Sequence, residues 1–349
     1  MVGNPFLPPW WLQNGIAMTV YSALVCPRNW EQHTAQPEPD FREVVFAGAG
    51  GVPIFGQVAI PPSPHGTVVA TYGITGSLDN QWFLQILRRK AYARGYAVVL
   101  FDWRAHGKTA ELSPTLTSDG LYEGEDFVRI AATAKAMGCP APFWFAGYSL
   151  GGQLALWGVK AAQSADSLEL GLPAEEIGGA ATICPNLDSQ RSLTSLVLST
   201  IGRQTEKAIS NELRRLAWRI HDAHPGAIDP AAIERAEGIW GFDRELVIGP
   251  LGFPSVEAYY QASSPIHILP HLAKPTLILY AADDPMFHPD LVPELEAIGR
   301  QNSSLHLQLT QYGGHVAYLS NPACQKRWGD GDRWWAWNRV LDWFDRRSA

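Results

Sequence analysis

The chain has 349 residues, 46% of them hydrophobic and 17% charged, with a formal net charge of -7 at pH 7. A globular chain of this size buries about three quarters of the surface its unfolded form exposes, which excludes a disordered protein. Its acidic balance, with Lys and Arg scattered instead of striped along one face, gives no footprint for nucleic acid.

No charged side chain precedes Arg28, and a short apolar run, Ile16 to Cys26, lies inside that stretch. A secretory signal would need a basic region ahead of the run, and Pro5, Pro8 and Pro9 interrupt the approach. A membrane-spanning helix needs about 20 apolar residues, more than the run supplies. Residues 1–40 therefore read as an N-terminal segment packed on the core of a cytoplasmic protein. The alternative is peripheral contact with a membrane surface through Trp10 and Trp11, since indole rings favour the boundary between water and lipid.

Two β-rich runs, EVVFAGAGG and VPIFGQVAI, are joined by small residues from Gly48 to Gly51 and predict an antiparallel hairpin. Six further strand candidates follow: TVVATYG (67–73), AVVLFD (97–102), PFWFAGY (142–148), GAATICP (179–185), PTLILYAADD (275–284) and SLHLQLT (304–310). Their near-continuous hydrophobicity suits strands buried on both faces. Segments 80–94 and 121–137 between them carry helical spacing, and DRWWAWNRVLDWF predicts a closing helix against the sheet. The fold class is thus α/β, a mostly parallel central sheet flanked by helices.

The alternation breaks between residues 186 and 263, where ELRRLAWRIHDAH and PAAIERAEGIWGF read as helices and no strand is evident. Ligands of doubly wound sheets bind at the carboxyl ends of the strands, so an insertion leaving strand 179–185 would overhang that site as a helical lid. The expected organisation is a core of 41–185 and 264–349 with a lid of 186–263.

Gly147-Tyr148-Ser149-Leu150-Gly151 is a G-x-S-x-G match. The pentapeptide follows an apolar run and opens GGQLALWGVKAA, the strand-turn-helix setting of a nucleophile elbow. There the serine sits in a strained conformation, and small residues two before and two after let strand and helix approach. A serine hydroxyl needs a neighbouring base. His315, in the Gly-rich loop TQYGGHVAYLS after the last strand, is the candidate; His106, His221, His224 and His288 fit less well. LILYAADDPMF offers adjacent carboxylates, of which Asp284 is the expected acid and Asp283 a turn residue. The resulting order, Ser149, Asp284, His315, is that of hydrolases built around such an elbow.

An oxyanion needs two preorganised donors. The N–H of Leu150, opening the helix after the serine, is one candidate, and the N–H of Ile74 in the loop after strand 67–73 is the other. Tyr72 and Tyr148 are candidates for substrate contact, although the Tyr72 hydroxyl would equally orient its own loop. Asp102-Trp103-Arg104-Ala105-His106-Gly107 reads as loop architecture at the end of a strand. No H-E-x-x-H occurs and the His and Asp residues show no ligand spacing, so no metal and no cofactor are expected. The four cysteines, Cys26, Cys139, Cys184 and Cys324, lie far apart and read as reduced, mostly buried thiols.

These residues together resemble the YheT-like branch of the α/β-hydrolases, whose members act as esterases or lipases on acyl esters. NPFLPPWWLQNGIAMT is similar to that branch's N-terminal segment, YGITGS to its oxyanion loop, YYQASSPIHILPHLAKPTLILYAADDPMF to its acid region, and GGHVAYL to its histidine loop. The resemblance covers nearly the full chain. It implies the α/β-hydrolase fold, with the nucleophile at Ser149, the acid at Asp284 and the base at His315. Tyr72 replaces the more usual His, Ile74 the more usual Leu, and WRAHGKT the commoner Asn-x-Arg-Gly segment.

The expected function is hydrolysis of a small-molecule carboxylic ester through an acyl-enzyme. A lid rich in Leu, Ile and Trp points to an apolar, lipid-like acyl group. Thioester hydrolysis and acyl transfer use the same machinery. A non-catalytic ligand-binding protein on the same fold is the rival from another class.

Overall fold

The computed structural model describes residues 5–163 and 172–348. Residues 1–4 of the N-terminal segment, 164–171 of the expected core and Ala349 lie outside it. Its centre is an eight-stranded sheet: β1 (Arg42–Ala47), β2 (Pro53–Ala59), β3 (Gly66–Thr71), β4 (Tyr96–Phe101), β5 (Phe143–Tyr148), β6 (Ile177–Ile183), β7 (Thr276–Ala281) and β8 (Leu305–Thr310). The order across the sheet is β1-β2-β4-β3-β5-β6-β7-β8. β1 and β2 form the expected antiparallel hairpin, β2 is antiparallel to β4, and the remaining neighbours are parallel. Every residue of β3, β4, β5 and β7 is buried, which is why those runs carry no polar alternation.

Fourteen α-helices are formed among the described residues. Those ahead of β6 are α1 (Gly15–Leu24), α2 (Trp82–Ala93), α3 (Thr109–Leu112), α4 (Glu123–Ala136) and α5 (Leu150–Ala162). Between β6 and β7 lie α6 (Ser189–Leu196), α7 (Thr200–Ala223), α8 (Pro230–Arg235), α9 (Gly238–Phe242), α10 (Ile248–Leu251) and α11 (Val256–Ser263), with a π turn at Asp243–Val247. Then come α12 (Leu291–Gln301), α13 (Pro322–Trp328) and the closing α14 (Trp335–Ser348). No helix of the described residues is long and apolar enough to cross a membrane. Side chains close the exposed amides at several helix starts: Asn14 accepts from Ala17, Asp188 from Arg191, Ser199 from Gly202 and Ser255 from Ala258. One predicted helix is two. PAAIERAEGIWGF breaks at Ala236–Glu237, where ψ swings to 83° and 120°, outside the helical region.

After β4 the chain returns past β3 to lay β5 on its other side, so the winding direction reverses between β3 and β5. Such a reversal leaves a crevice at the carboxyl ends of the two strands. The main core packs helix aromatics on this sheet; Trp144 of β5 stacks on Phe344 of α14 at 5.0 Å, and Phe83 of α2 meets Trp337 at 5.0 Å. The helices between β6 and β7 have a second core of their own, with Leu213, Ile220, Ile233, Phe242, Val247 and Tyr259 among its members. All four cysteines are buried and free.

One buried ion pair anchors the turn after β4. Asp126 of α4 accepts from Arg104 Nε at 2.7 Å and Nη2 at 2.9 Å, and from the Ala49 amide at 2.6 Å. Removing one partner of such a pair strands the other charge in the interior. Asp126→Ala is expected to lower unfolding free energy by about 3–5 kcal/mol, read from the urea midpoint; an unchanged midpoint would contradict this account of the turn.

Candidate active site

Ser149 stands between β5 and α5 with φ +54° and ψ -129°, a conformation that costs a non-glycine residue about 1–3 kcal/mol. The surroundings hold it there through close backbone approaches. A β-carbon on Gly147 would lie 2.2 Å from the Gly151 carbonyl oxygen, one on Gly151 2.3 Å from the Tyr72 oxygen, and one on Gly73 2.9 Å from Ser149 Cβ. Glycine at these positions lets the strand end, helix start and β3 loop converge on one hydroxyl.

His315 arrives from the loop after β8 and Asp284 from the loop after β7. The Ser149 hydroxyl donates to His315 Nε2 at 2.9 Å, and His315 Nδ1–H donates to Asp284 Oδ2 at 2.9 Å. Asp284 Oδ1 also accepts from the Met286 amide at 2.9 Å, which fixes the carboxylate plane. Its neighbour points elsewhere: Asp283 Oδ1 accepts from the Gly314 amide at 2.9 Å and ties the acid loop to the histidine loop. Burial pushes the Asp283 carboxyl up. The three side chains singled out from sequence are thus joined in one hydrogen-bonded chain.

Leu150 and Ile74 line the same cavity as Ser149. Residues 72–78, which carry Ile74, are clamped by the turn after β4. Asp102 Oδ1 accepts from the Tyr72 hydroxyl at 2.5 Å and the Leu78 amide at 2.8 Å, while Oδ2 accepts from the Lys108 amide at 2.9 Å. The Thr75 amide donates to His106 Nε2 at 3.1 Å, and His106 Nδ1–H donates to the Arg104 carbonyl at 2.9 Å. Burial lowers His106 to about 3, so its ring is the neutral acceptor this bond requires. The 102–107 turn is architecture, as expected, but the architecture of this loop in particular.

Neither Tyr72 nor Tyr148 lines the cavity. Both rings are buried, with the Tyr72 hydroxyl on Asp102 and the Tyr148 hydroxyl donating to Gln81 Oε1. A buried phenol keeps its hydroxyl bonded, and here the partners, Asp102 and Gln81, do not line the cavity either. No role in substrate contact follows for either.

Ser149 borders a cavity that it shares with the helices between β6 and β7. Leu193, Leu196, Ile209, Leu213, Ile239 and Phe242 from the helices between β6 and β7 form an apolar wall, and Trp103, Met286 and Phe287 contribute from the sheet side. Two carboxyl groups that the sequence reading passed over also border it. Asp119 is held by a left-handed backbone, φ +51°, and Asp243 by the π turn. The Tyr260 hydroxyl donates to Asp243 Oδ2 at 2.5 Å, and among the described residues no Lys, Arg or His forms an ion pair with either acid. Burial, and then the charge of Glu123, pushes Asp119 up to about 7; burial and the charge of Asp119 push Asp243 well up.

The unfolded chain ionises an aspartate near its ordinary value, about 3.9. Between there and about 7 the folded form holds a proton on Asp119 that the unfolded form has lost, so stability falls as pH rises through that window. Asp119→Asn is therefore expected to gain stability over the wild type as pH climbs from 4 to 8, on the order of 4 kcal/mol. Calorimetric melts at both pH values check it, and a gain that shrinks with pH would refute it.

Known proteins give the context for this geometry. A model of the alpha/beta hydrolase family matches residues 65–323. The chain is 54% identical to "Putative esterase slr0264" of Synechocystis sp., over 98% of this chain and 95% of that protein. It is 27% identical to "Putative esterase YheT" of Escherichia coli, over 79% of this chain and 75% of that protein. Among solved structures, the Pyrococcus furiosus esterase Pf2001 superposes with a TM-score of 0.56 at 15% identity, over 91% of this chain and 94% of that one, a likeness of fold. By its sequence match and its eight-stranded sheet alike, the chain belongs to the alpha/beta hydrolase family.

Proposed function

We propose that Ser149, His315 and Asp284 act as a catalytic triad that cleaves carboxylic esters with an apolar acyl group through an acyl-enzyme. The observation that carries this reading is the unbroken hydrogen-bonded chain from the Ser149 hydroxyl through both ring nitrogens of His315 to Asp284, beside an apolar cavity. His315 Nε2 takes the hydroxyl proton as Oγ attacks the ester carbonyl, and Asp284 stabilises the imidazolium and fixes its tautomer. The N–H groups of Leu150 and Ile74 serve as the oxyanion hole for the tetrahedral intermediate. The imidazolium then protonates the departing alcohol, and water activated by the same ring releases the acid. The similarity to "Putative esterase slr0264" and "Putative esterase YheT" supports the substrate class.

In the same reading residues 186–263 form a lid whose inner face sizes the acyl group. The wall that borders Ser149 is mostly apolar, and each methylene buried against it is worth about 0.8 kcal/mol. A fluorophosphonate probe is expected to label the wild type and not Ser149→Ala, with ester turnover falling on the order of 10⁶-fold. A folded wild type that resists the probe would favour a non-catalytic binder, and faster turnover of thioesters than of matched esters would make the chain a thioesterase. Leu213→Trp should move the preferred p-nitrophenyl ester to a shorter chain, with kcat/KM for longer ones falling about fourfold per excluded methylene; an unchanged length profile would remove Leu213 from the acyl wall.

Peripheral contact with a lipid surface has its own support. Trp10 is 83% exposed and Trp11 47% exposed, and Ile16, Val20 and Leu24, spaced four apart, face outward along α1 in a stretch without charge. Indoles beside an uncharged apolar stripe suit the interface of a zwitterionic bilayer. The wild type is expected to float with phosphatidylcholine vesicles and the double variant Trp10→Ser, Trp11→Ser to stay behind; equal partitioning of the two would dismiss the contact.

A further inference from the structure

The inner face of α1 is packed on the loops that carry His315 and Asp284, although α1 lies outside the 65–323 stretch matched by the family model. The His315 amide donates to Thr19 Oγ1 at 2.8 Å, a contact that spans 296 positions of chain. The Thr19 hydroxyl gives its own proton to the Gly15 carbonyl at 2.7 Å, so a lone pair is left facing the His315 amide. The approach is close on both sides. A β-carbon on Gly15 would lie 1.7 Å from the Asp283 carbonyl oxygen, and one on Gly314 would lie 2.7 Å from the Gly15 oxygen and 2.9 Å from Thr19 Oγ1.

The histidine loop needs such support. Gly314 takes φ +57°, and beyond the histidine Val316 takes φ +75° and Tyr318 φ +44°, left-handed conformations that side chains adopt only where their surroundings over-determine them. Two successive amides are caught from opposite partners: Gly314 by Asp283 Oδ1 at 2.9 Å and His315 by Thr19. The first bond ties the loop to the acid, and the second ties it to the N-terminal helix. The Gly314 carbonyl also accepts from Cys184 Sγ at 3.7 Å, but the amide of His315 itself is held by Thr19, and both 2.9 Å contacts of the ring depend on where that backbone sits.

We propose that Thr19 is a positioning residue for ester hydrolysis, holding the His315 backbone so that the imidazole spans Ser149 and Asp284; this rests on His315 being the base. Thr19 touches neither substrate nor the reacting atoms. Its loss misplaces the ring without altering the acyl pocket, so it acts on kcat and on nucleophile activation and not on KM.

The test compares Thr19→Val, which keeps the shape and removes the hydroxyl, with Thr19→Ser, which restores it. Misplacement of a catalytic group by about 1 Å costs about 100-fold. Thr19→Val is therefore expected to lower kcat on a p-nitrophenyl ester and the rate of fluorophosphonate labelling about 10- to 100-fold, with KM within twofold of wild type. Thr19→Ser is expected to recover both rates to within about threefold. A folded Thr19→Val with wild-type kcat overturns the proposal, as does a Thr19→Ser that falls equally far. Should the valine prevent folding, Thr19→Ala removes the same hydroxyl without added bulk. A wild type that neither turns over nor labels would defeat the hydrolase reading instead, and a crystal structure of Thr19→Val then decides the positioning claim: it stands if the imidazole has left hydrogen-bond distance of Ser149 and falls if the ring has not moved.

Discussion

The site depends on how closely three pieces of backbone meet at the end of β5. Ser149 holds its strained turn because β-carbons are missing at Gly147, Gly151 and Gly73, and each of those glycines faces an atom that a side chain would strike. A hydroxyl raised on such a turn is presented to the crevice where the winding of the sheet reverses, with the first amide of α5 beside it. Hydrogen bonds from loops far along the chain then converge on that point. The loops are secondary in this sense: they deliver His315 and Asp284 to a position that the glycines have already defined.

A strained turn has to be held by its surroundings, and the holding is layered. Asp102 and His106 restrain residues 72–78, Arg104 between them is fastened by Asp126, and Asp126 also takes the Ala49 amide. The restraint on the β3 loop therefore runs through a buried charge pair to the β1–β2 end of the sheet. On the other side the histidine loop is restrained by Asp283 and by α1. Two separate networks thus meet across Ser149, one for the loop that presents the Ile74 amide and one for the loop that presents the imidazole.

The strands were readable because each is buried on both faces, so that runs such as AVVLFD and PTLILYA stand out without knowledge of their partners. Ser149, Asp284 and His315 were readable for a different reason: each lies just past a strand or follows a glycine pair, and their order along the chain is informative. What stayed hidden had no local mark. Thr19 bonds a residue 296 positions away, and a threonine in an apolar helix looks like any other. Asp119 and Asp243 reach the cavity through a left-handed residue and a π turn, neither of which any periodicity announces. Tyr72 and Tyr148 invited a role in substrate contact because they adjoin the motifs, yet their buried hydroxyls are bonded to Asp102 and Gln81.

The cavity has walls of two origins, and that division has consequences for specificity. Ser149, Leu150 and Ile74 belong to the sheet and its loops, whereas Leu193, Leu213 and Phe242 belong to helices that pack around a second core. Leu213 and Phe242 belong both to that second core and to the cavity wall, whereas Gly147, Gly151 and Gly73 of the turn belong to neither. The shape of the space can therefore drift while the hydrogen-bonded chain at its edge stays fixed. The exceptions are Asp119 and Asp243, which border the same space as buried acids without a cation. Burial disfavours the charged form of both carboxyls, and a ligand that brought positive charge there would favour it.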